Sequence, residues 1–222
     1  MDFPHLFLAS NSPRRKELLS WLGIPFIQGA FPVDETPNHG EPAAEYVVRL
    51  AREKNLAVQQ AGPVRDILLT ADTIVVDGED LLGKPRNNEE ARAMLRRLRG
   101  RTHYVLTGLA VFDPRSGNLL EDRCVSSVPM RSYSDSELNT YVQSGDPLDK
   151  AGGYAIQHEG FHPVEGFAGC FASVMGLPLC HLLRTLKKIG LITDVDIPAA
   201  CLKNLGYRCS LSHAVLQGKD VG

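Results

Sequence analysis

The 222-residue chain has a mass of 24.3 kDa and carries 24 Lys and Arg against 26 Asp and Glu, a formal net charge of −2. Its 43% hydrophobic and 23% charged residues are an ordinary globular composition, which excludes a disordered, collagenous or small disulfide-framework chain. The near-neutral balance argues against general nucleic-acid binding, which calls for a basic domain, and no apolar run approaches the roughly 18 residues that span a bilayer.

At about 150 residues per domain, the length fits one large domain or two small lobes. The opening Met1-Asp2-Phe3-Pro4-His5 has no basic segment before an apolar core, so no secretory leader is expected. Cys124, Cys170, Cys180, Cys201 and Cys209 are odd in number and include no Cys-x-x-Cys pair. That predicts reduced thiols in a cytoplasmic protein and no zinc site.

In chain order, residues 6–9 read as a short buried strand. Ser12 then offers an N-cap and Pro13 a first helical position. Leu18, Leu19 and Leu22 give that helix its apolar side, and Gly23 stops it. A second extended piece starts over residues 25–27, and the turn-rich residues 29–41 are expected to form a loop. A helix is predicted over 42–60, with Ala43, Val47, Leu50 and Ala57 on one face. The apolar, β-branched run 67–76 reads as a central strand, turned back at Asp77-Gly78 into Leu81-Leu82. Asn88 is read as the cap of a helix that buries Ala91, Met94, Leu95 and Leu98 and ends at Gly100. Long strands follow over 103–112 and 123–131. Ser134-Asp135-Ser136-Glu137 is a capping box for a helix through Val142. Residues 146–170 are Gly-rich and irregular, and Leu179, Leu182, Leu183, Leu186 and Ile189 line a last helix. Beyond Ile192 the periodicity fades, so the chain divides into a main unit over 1–192 and an appended tail over 193–222 with no role assigned. Intermixed strands and helices, with hairpins in the middle, point to an α/β fold: a mixed β-sheet with flanking helices, not a doubly wound parallel one.

Four places break the local pattern, and such breaks concentrate where chemistry happens. At residues 10–15 a strand runs through a Ser-containing turn into a helix N-terminus, whose free N–H groups suit an anion. Arg14 and Arg15 there oppose the helix dipole, which makes sense if a phosphate sits between them; the alternative is two solvated arginines. Lys54 falls among Ala43, Val47, Leu50 and Ala57, so it faces a cleft edge or snorkels to water along it. Asp72 interrupts the central strand, where a carboxylate is costly unless paired or metal-bound. It is a candidate base or metal ligand, or an Asp held by nearby backbone N–H groups. Lys84 lies between Gly83, which permits close approach, and Pro85, which fixes the exit; alone it reads as a surface turn. The arginines from 92 to 101 complement a helix C-terminus. Gly160 and Pro163 spoil any helical pairing of His158 with His162.

Together these places resemble a known pattern. Leu8-Ala9-Ser10-Asn11-Ser12-Pro13-Arg14-Arg15 is similar to the N-terminal signature of the Maf family of nucleoside triphosphate pyrophosphatases. The resemblance continues through Val33-Asp34-Glu35, Arg49-Leu50-Ala51-Arg52-Glu53-Lys54, Ala71-Asp72-Thr73-Ile74-Val75, Gly83-Lys84-Pro85 and Gly100-Arg101-Thr102-His103. It resumes at Asp149-Lys150-Ala151-Gly152-Gly153-Tyr154-Ala155-Ile156-Gln157 and ends at Gly176-Leu177-Pro178-Leu179, covering residues 5–190 in order.

The resemblance implies two lobes around a cleft, similar to the inosine triphosphate pyrophosphatases. It also implies hydrolysis of a nucleoside triphosphate to the monophosphate and pyrophosphate with Mg²⁺ or Mn²⁺. Carried over by motif, Ser10, Arg14, Arg15, Lys54 and Lys84 would hold the triphosphate. Glu35 and Asp72 would work with metal and water, and Thr73 and Gln157 would contact the base. Asp72, Glu35, Lys54 and Lys84 form the implied catalytic set. The pair Asp72-Thr73 and the run Ala155-Ile156-Gln157 resemble the branch acting on dTTP and UTP. The branch acting on 7-methyl-GTP differs at both places and is the alternative within the family. An alternative outside catalysis is a nucleotide-sensing regulator linked to cell division, against which the intact Glu35, Lys54, Asp72 and Lys84 set argues. The substrate is then the expected partner, with no nucleic acid or membrane, and a homodimer is compatible with this reading. Two positions depart from the family pattern: His158 follows the glutamine where Gly is usual, and Ser173 precedes Val174-x-Gly176-Leu177-Pro178 where Asn is usual.

Overall fold

A computed structural model describes residues 5–29 and 31–222. The reading of the opening residues as leaderless falls on 1–4, and Ala30 on the expected loop; these lie outside the described residues. Six strands form one mixed sheet in the order β2-β1-β3-β5-β6, with β4 on the edge of β3. The strands are β1 (Leu6–Ala9), β2 (Phe26–Gly29), β3 (Ile67–Asp77), β4 (Asp80–Leu82), β5 (Thr102–Asp113) and β6 (Asn118–Pro129). β1 runs parallel to β2 and β3, whereas β3, β5 and β6 are antiparallel neighbours. The helices are α1 (Pro13–Ser20), α2 (Ala43–Ala61), α3 (Asn88–Leu98), α4 (Asp135–Gln143), α5 (Phe171–Val174), α6 (Leu179–Lys188), α7 (Ile197–Leu205) and α8 (Ser212–Leu216).

The caps follow their local chemistry. Ser12 Oγ accepts the Arg15 N–H at 3.3 Å, and Ser134 with Glu137 closes a full capping box. At α3 the cap is Asn87, one residue before the expected Asn88. Its side chain accepts the Glu90 N–H at 2.9 Å, because only the residue outside the helix has a side chain free to reach back to the third amide. β6 also starts earlier than expected, at Asn118. A tight turn at Gly117 joins it to β5, so Leu119 and Leu120 pair with Phe112 and Val111.

Strand alternation sorts β3 into two faces. Leu69, Ala71 and Val75 enter the large core shared with Leu6, Leu8, Leu109 and the helices α1, α3 and α6. Ile74 and Val76 enter a smaller core against Tyr46, Val47 and Leu50 of α2. Asp72 shares the α2 face and Thr73 the opposite one. α2 crosses the sheet closely at Gly108, the β5 partner of Asp72. A Cβ there would lie 2.5 Å from the Val47 carbonyl oxygen, so only glycine fits.

The tail folds into α7 and α8. Ile197, Cys201 and Val215 are buried in the large core. No helix among the described residues is long and apolar enough to cross a membrane.

Candidate active site

The sheet contains a gap. β1 pairs with β3 only through Leu69, and β4 begins to pair only at Val75. Over residues 70–74 that edge of β3 has no neighbouring strand, and both of its faces open into one cleft of about 670 Å³. The turn after β1 forms one wall, and Gly83-Lys84 after β4 forms another. The segments at 149–157 and 174–176 close it.

Ser10, Arg14, Arg15, Glu35, Lys54, Asp72, Thr73, Lys84 and Gln157 all line this cleft, so residues scattered from position 10 to 157 are brought together. Lys54 is central. Its Nζ lies 2.5 Å from Asp72 Oδ1 and 2.7 Å from Glu35 Oε1. The open alternatives at Lys54 and Asp72 therefore resolve to an ion pair at the cleft. Glu35 is held by its backbone: Tyr46 OH donates to its carbonyl at 2.6 Å. Arg49 steadies the same loop through Glu41 and the Thr36 carbonyl. Partial burial pushes the Glu35 carboxyl upward, but the Lys54 hydrogen bond and charge outweigh it and leave the pKa lowered.

On the other face of β3, Arg15 is a brace. Its Nε donates to Gly176 O at 2.8 Å, Nη1 to Ser10 Oγ at 3.3 Å and Nη2 to Thr73 Oγ1 at 3.2 Å. Burial lowers its pKa, while the nearby Asp72 charge supports the cation. Gly176, at φ +112, keeps the approach open: a Cβ would lie 3.3 Å from Arg15 Nε.

These bonds fix the direction of two hydroxyls. Ser10 Oγ accepts from Arg15 and from the Ser12 N–H at 3.2 Å, so its free valence is its own O–H, a donor. Thr107 Oγ1 donates to the Ser173 carbonyl at 2.8 Å. The 2.9 Å Thr73–Thr107 bond therefore has Thr73 as donor. Thr73 accepts from Arg15, and its remaining lone pair can only accept.

Arg14 pairs with Asp149 at 2.8 Å, and Lys150, buried beside it, spans Asp146 at 2.9 Å and Asp149 at 2.6 Å. Lys84 is exposed and makes no ion pair with the described residues. The side chain of Gln157 makes no hydrogen bond with them. Sequence reasoning missed Asp149 and Lys150 as cleft groups; an available signal was the i,i+4 spacing of Asp146 and Lys150. In all, five cationic and three acidic side chains line the cleft, an excess of positive charge suited to a polyanion. Glu35 and Asp72 are the adjacent hard oxygen donors; among the described residues no three His, Cys, Asp or Glu are grouped to hold a metal by themselves.

A family model described as "Maf-like protein" matches residues 5–189. The chain belongs to the Maf family. It is 48% identical to a dTTP/UTP pyrophosphatase of Myxococcus xanthus over 186 residues, 84% of this chain and 93% of that one. A dTTP/UTP pyrophosphatase of Hahella chejuensis is 44% identical over 84% of this chain and 92% of its own. Among solved structures, a nucleoside-triphosphatase / dITP/XTP pyrophosphatase of Mycobacterium abscessus aligns over 83% of this chain and 94% of that one. Its identity is 14% and its TM-score 0.42, from which nothing about chemistry follows.

Neither departure from the Maf pattern puts a new side chain in the cleft. His158 turns away: its ring packs on Tyr141 with centroids 4.7 Å apart, and its Nδ1 accepts the Phe161 N–H at 2.9 Å. Ser173 is fully buried behind Thr107. The Maf match ends before α7 and α8 begin.

Proposed function

We propose that this protein hydrolyses nucleoside triphosphates, dTTP and UTP foremost, to the monophosphate and pyrophosphate. The observation that carries the reading is the meeting of Lys54, Glu35 and Asp72 in a cation-lined cleft. The names of the relatives support it. A triphosphate carries roughly four negative charges at pH 7. Arg14 and Lys84 supply mobile positive charge for it, Lys54 and the braced Arg15 supply fixed charge, and Ser10 donates its O–H to a phosphate oxygen.

Glu35 and Asp72 fit Mg²⁺ or Mn²⁺, which are commonly held by one or two carboxylates together with substrate phosphates. When bound, such an ion supplies Lewis-acid neutralisation of phosphate charge. Lys54 fixes Asp72 Oδ1, leaving Oδ2 to orient water toward the α-phosphorus and take its proton. Lys84 and Arg14 stabilise the charge that builds on the leaving pyrophosphate. Arg14 reaches the substrate by exchanging its Asp149 partner for a phosphate. The same reading places the protein in the cytoplasm, where free thiols are the usual resting state.

The test is product identification over dTTP, UTP, CTP, GTP and 7-methyl-GTP, with Mg²⁺ and with Mn²⁺. Pyrophosphate from dTTP and UTP is expected, lost on chelation. Orthophosphate as the first product, or nucleotide binding without turnover under either metal, would overturn the assignment. A best kcat/KM for 7-methyl-GTP would move the chain to the other Maf activity.

A further inference from the structure

The five free cysteines gather on the seam between the C-terminal helices and the Maf domain. Cys124, Cys170 and Cys209 share one core cluster, and the Cys170 thiol is electrostatically coupled to the other two. Backbone contacts hold this arrangement. The Cys170 N–H donates to Ser126 Oγ at 3.2 Å, and Cys124 Sγ lies 3.9 Å from the same oxygen. Cys209 Sγ lies 3.8 Å from the carbonyl oxygen of Gly169, the residue before Cys170. Tyr207 OH donates to that carbonyl at 3.0 Å, and Ser210 Oγ donates to Ala168 O at 3.1 Å. The tail is thus tied on both sides of Cys209 to the chain just before Cys170.

We infer that Cys209 and Cys170 form a peroxide-reactive pair that closes a disulfide between the tail and the segment behind the cleft. Cys124 is fully buried, whereas Cys209 is partly exposed, so only Cys209 keeps access to an oxidant and hydration for a thiolate. Its pKa is lowered to about 6, first by the Cys170 hydrogen bond and against burial, with the Leu211 and Ser212 N–H groups assisting. Cys170 shifts upward through its contacts with Cys124 and Cys209, and burial adds to this, so it keeps its proton.

The chemistry is a two-electron oxidation of the thiols by a hydroperoxide. The Cys209 thiolate attacks one peroxide oxygen; an S–O bond forms, the O–O bond breaks, and the departing hydroxide becomes water. Cys170 sulfur then attacks Cys209 sulfur; the S–S bond forms, the S–O bond breaks, and the oxygen leaves as water with the Cys170 proton. With hydrogen peroxide, two thiols become one disulfide and two waters.

The test uses the reduced full chain, briefly exposed to hydrogen peroxide, alkylated and digested with trypsin without reductant. Trypsin leaves Cys209 on residues 209–219, Cys124 on 124–131, and Cys170 with Cys180 on 151–184. A cross-link between 209–219 and 151–184, lighter by two hydrogens than the sum of the peptides, is expected. It persists in Cys180→Ser and Cys124→Ser and vanishes in Cys209→Ser. A cross-link that instead joins 124–131 to 151–184, that disappears in Cys180→Ser, or that never forms would overturn the inference. The readout is independent of nucleotide turnover, so failure of the proposed activity leaves it intact.

Discussion

Lys54 and Asp72 are 18 residues apart in the chain, and their charged atoms meet at 2.5 Å across the junction of α2 and β3. Each side chain is only 12% exposed. Neither position is a packing accident. Gly108 lets α2 lie close on the sheet, and strand alternation turns Asp72 toward that helix. An ion pair of this kind is weak evidence for stability, but removing one partner strands the other.

Asp72→Asn preserves the side-chain shape while removing the carboxylate proposed as the proton acceptor. The variant is expected to fold and bind nucleotide but to lose about 10²-fold or more in kcat. Turnover near that of the unchanged protein, measured by pyrophosphate release, would remove Asp72 from the chemistry.

Lys54→Met leaves the largely buried Asp72 unpaired and facing Glu35. A cost of about 1–3 kcal/mol is expected, with cleft water moderating it, and Tm falls by about 2–10 °C. Adding Asp72→Asn to the same chain should restore most of the Tm but none of the activity. A double variant as unstable as the single would mean that Lys54 matters through packing of its aliphatic stem.

His103 offers a test by pH. Burial pushes its pKa down to about 4, and its Nε2 is 2.7 Å from the buried Tyr154 OH. The unfolded chain takes up the proton near the ordinary value of about 6.5. The contribution of neutral His103 is therefore complete above pH 6.5 and is lost as pH falls toward 4, by up to about 3 kcal/mol. Comparing Tm across this window, His103→Gln should show a shallower decline than the unchanged chain. Parallel curves would place the acid-sensitive group elsewhere.

The C-terminal helices are expected to matter for stability, not for the cleft. Ile197, Cys201 and Val215 are buried in the main core, while no residue beyond Gly176 lines the cleft. A chain stopped after Asp194 loses these three side chains at about 1.5–3 kcal/mol each, which lowers Tm by about 10 °C or more. kcat per folded molecule should be unchanged below that temperature. A truncated chain that melts with the full one would show that the tail is merely laid on the surface.

Much of this was legible in the sequence where a rule is local. The β1–turn–α1 unit, the capping box at Ser134 and the charged break at Asp72 each follow from neighbours in the chain. Long-range partners were not. Ser10 is a near neighbour of Arg15, but nothing local shows that its other donors are taken by Thr73 and Gly176, 58 and 161 positions away, because those two bonds form only once the fold has closed. α7 carried its own signals: Asp196 caps Ala199 N–H at 3.1 Å, Pro198 sits in the first turn and Gly206 ends the helix at φ +63. Its short length hid them, since Ile197, Cys201 and Leu205 supply only two turns of period.

Base choice is the sharpest consequence of the hydroxyl directions. Thr73 Oγ1 gives its proton to Thr107 and accepts from Arg15, so toward the cleft it presents only a lone pair. Uracil and thymine carry a donor at N3–H that such a lone pair can accept; cytosine N3 is itself an acceptor and meets it with repulsion. Gln157, with no protein partner, offers both an amide donor and an acceptor and can turn to suit either O4 or an amino group. If the base lies against these two residues as proposed, discrimination against CTP is expected to rest on Thr73 and adaptability on Gln157. A buried polar group left unpaired separates substrates far more strongly than a missing methyl contact, so dTTP and UTP should be used comparably. Thr73→Val removes the lone pair and leaves a similar volume. It is expected to lower kcat/KM for UTP by about 10-fold or more, the scale of a lost hydrogen bond of about 1.4 kcal/mol, and to narrow the gap between UTP and CTP. Gln157→Ala should weaken both and leave their ratio little changed. The measurement is kcat/KM for dTTP, UTP and CTP under one metal condition, with Arg15 left in place. If Thr73→Val lowers UTP and CTP in equal proportion, Thr73 serves the Arg15 brace alone and the base is read elsewhere.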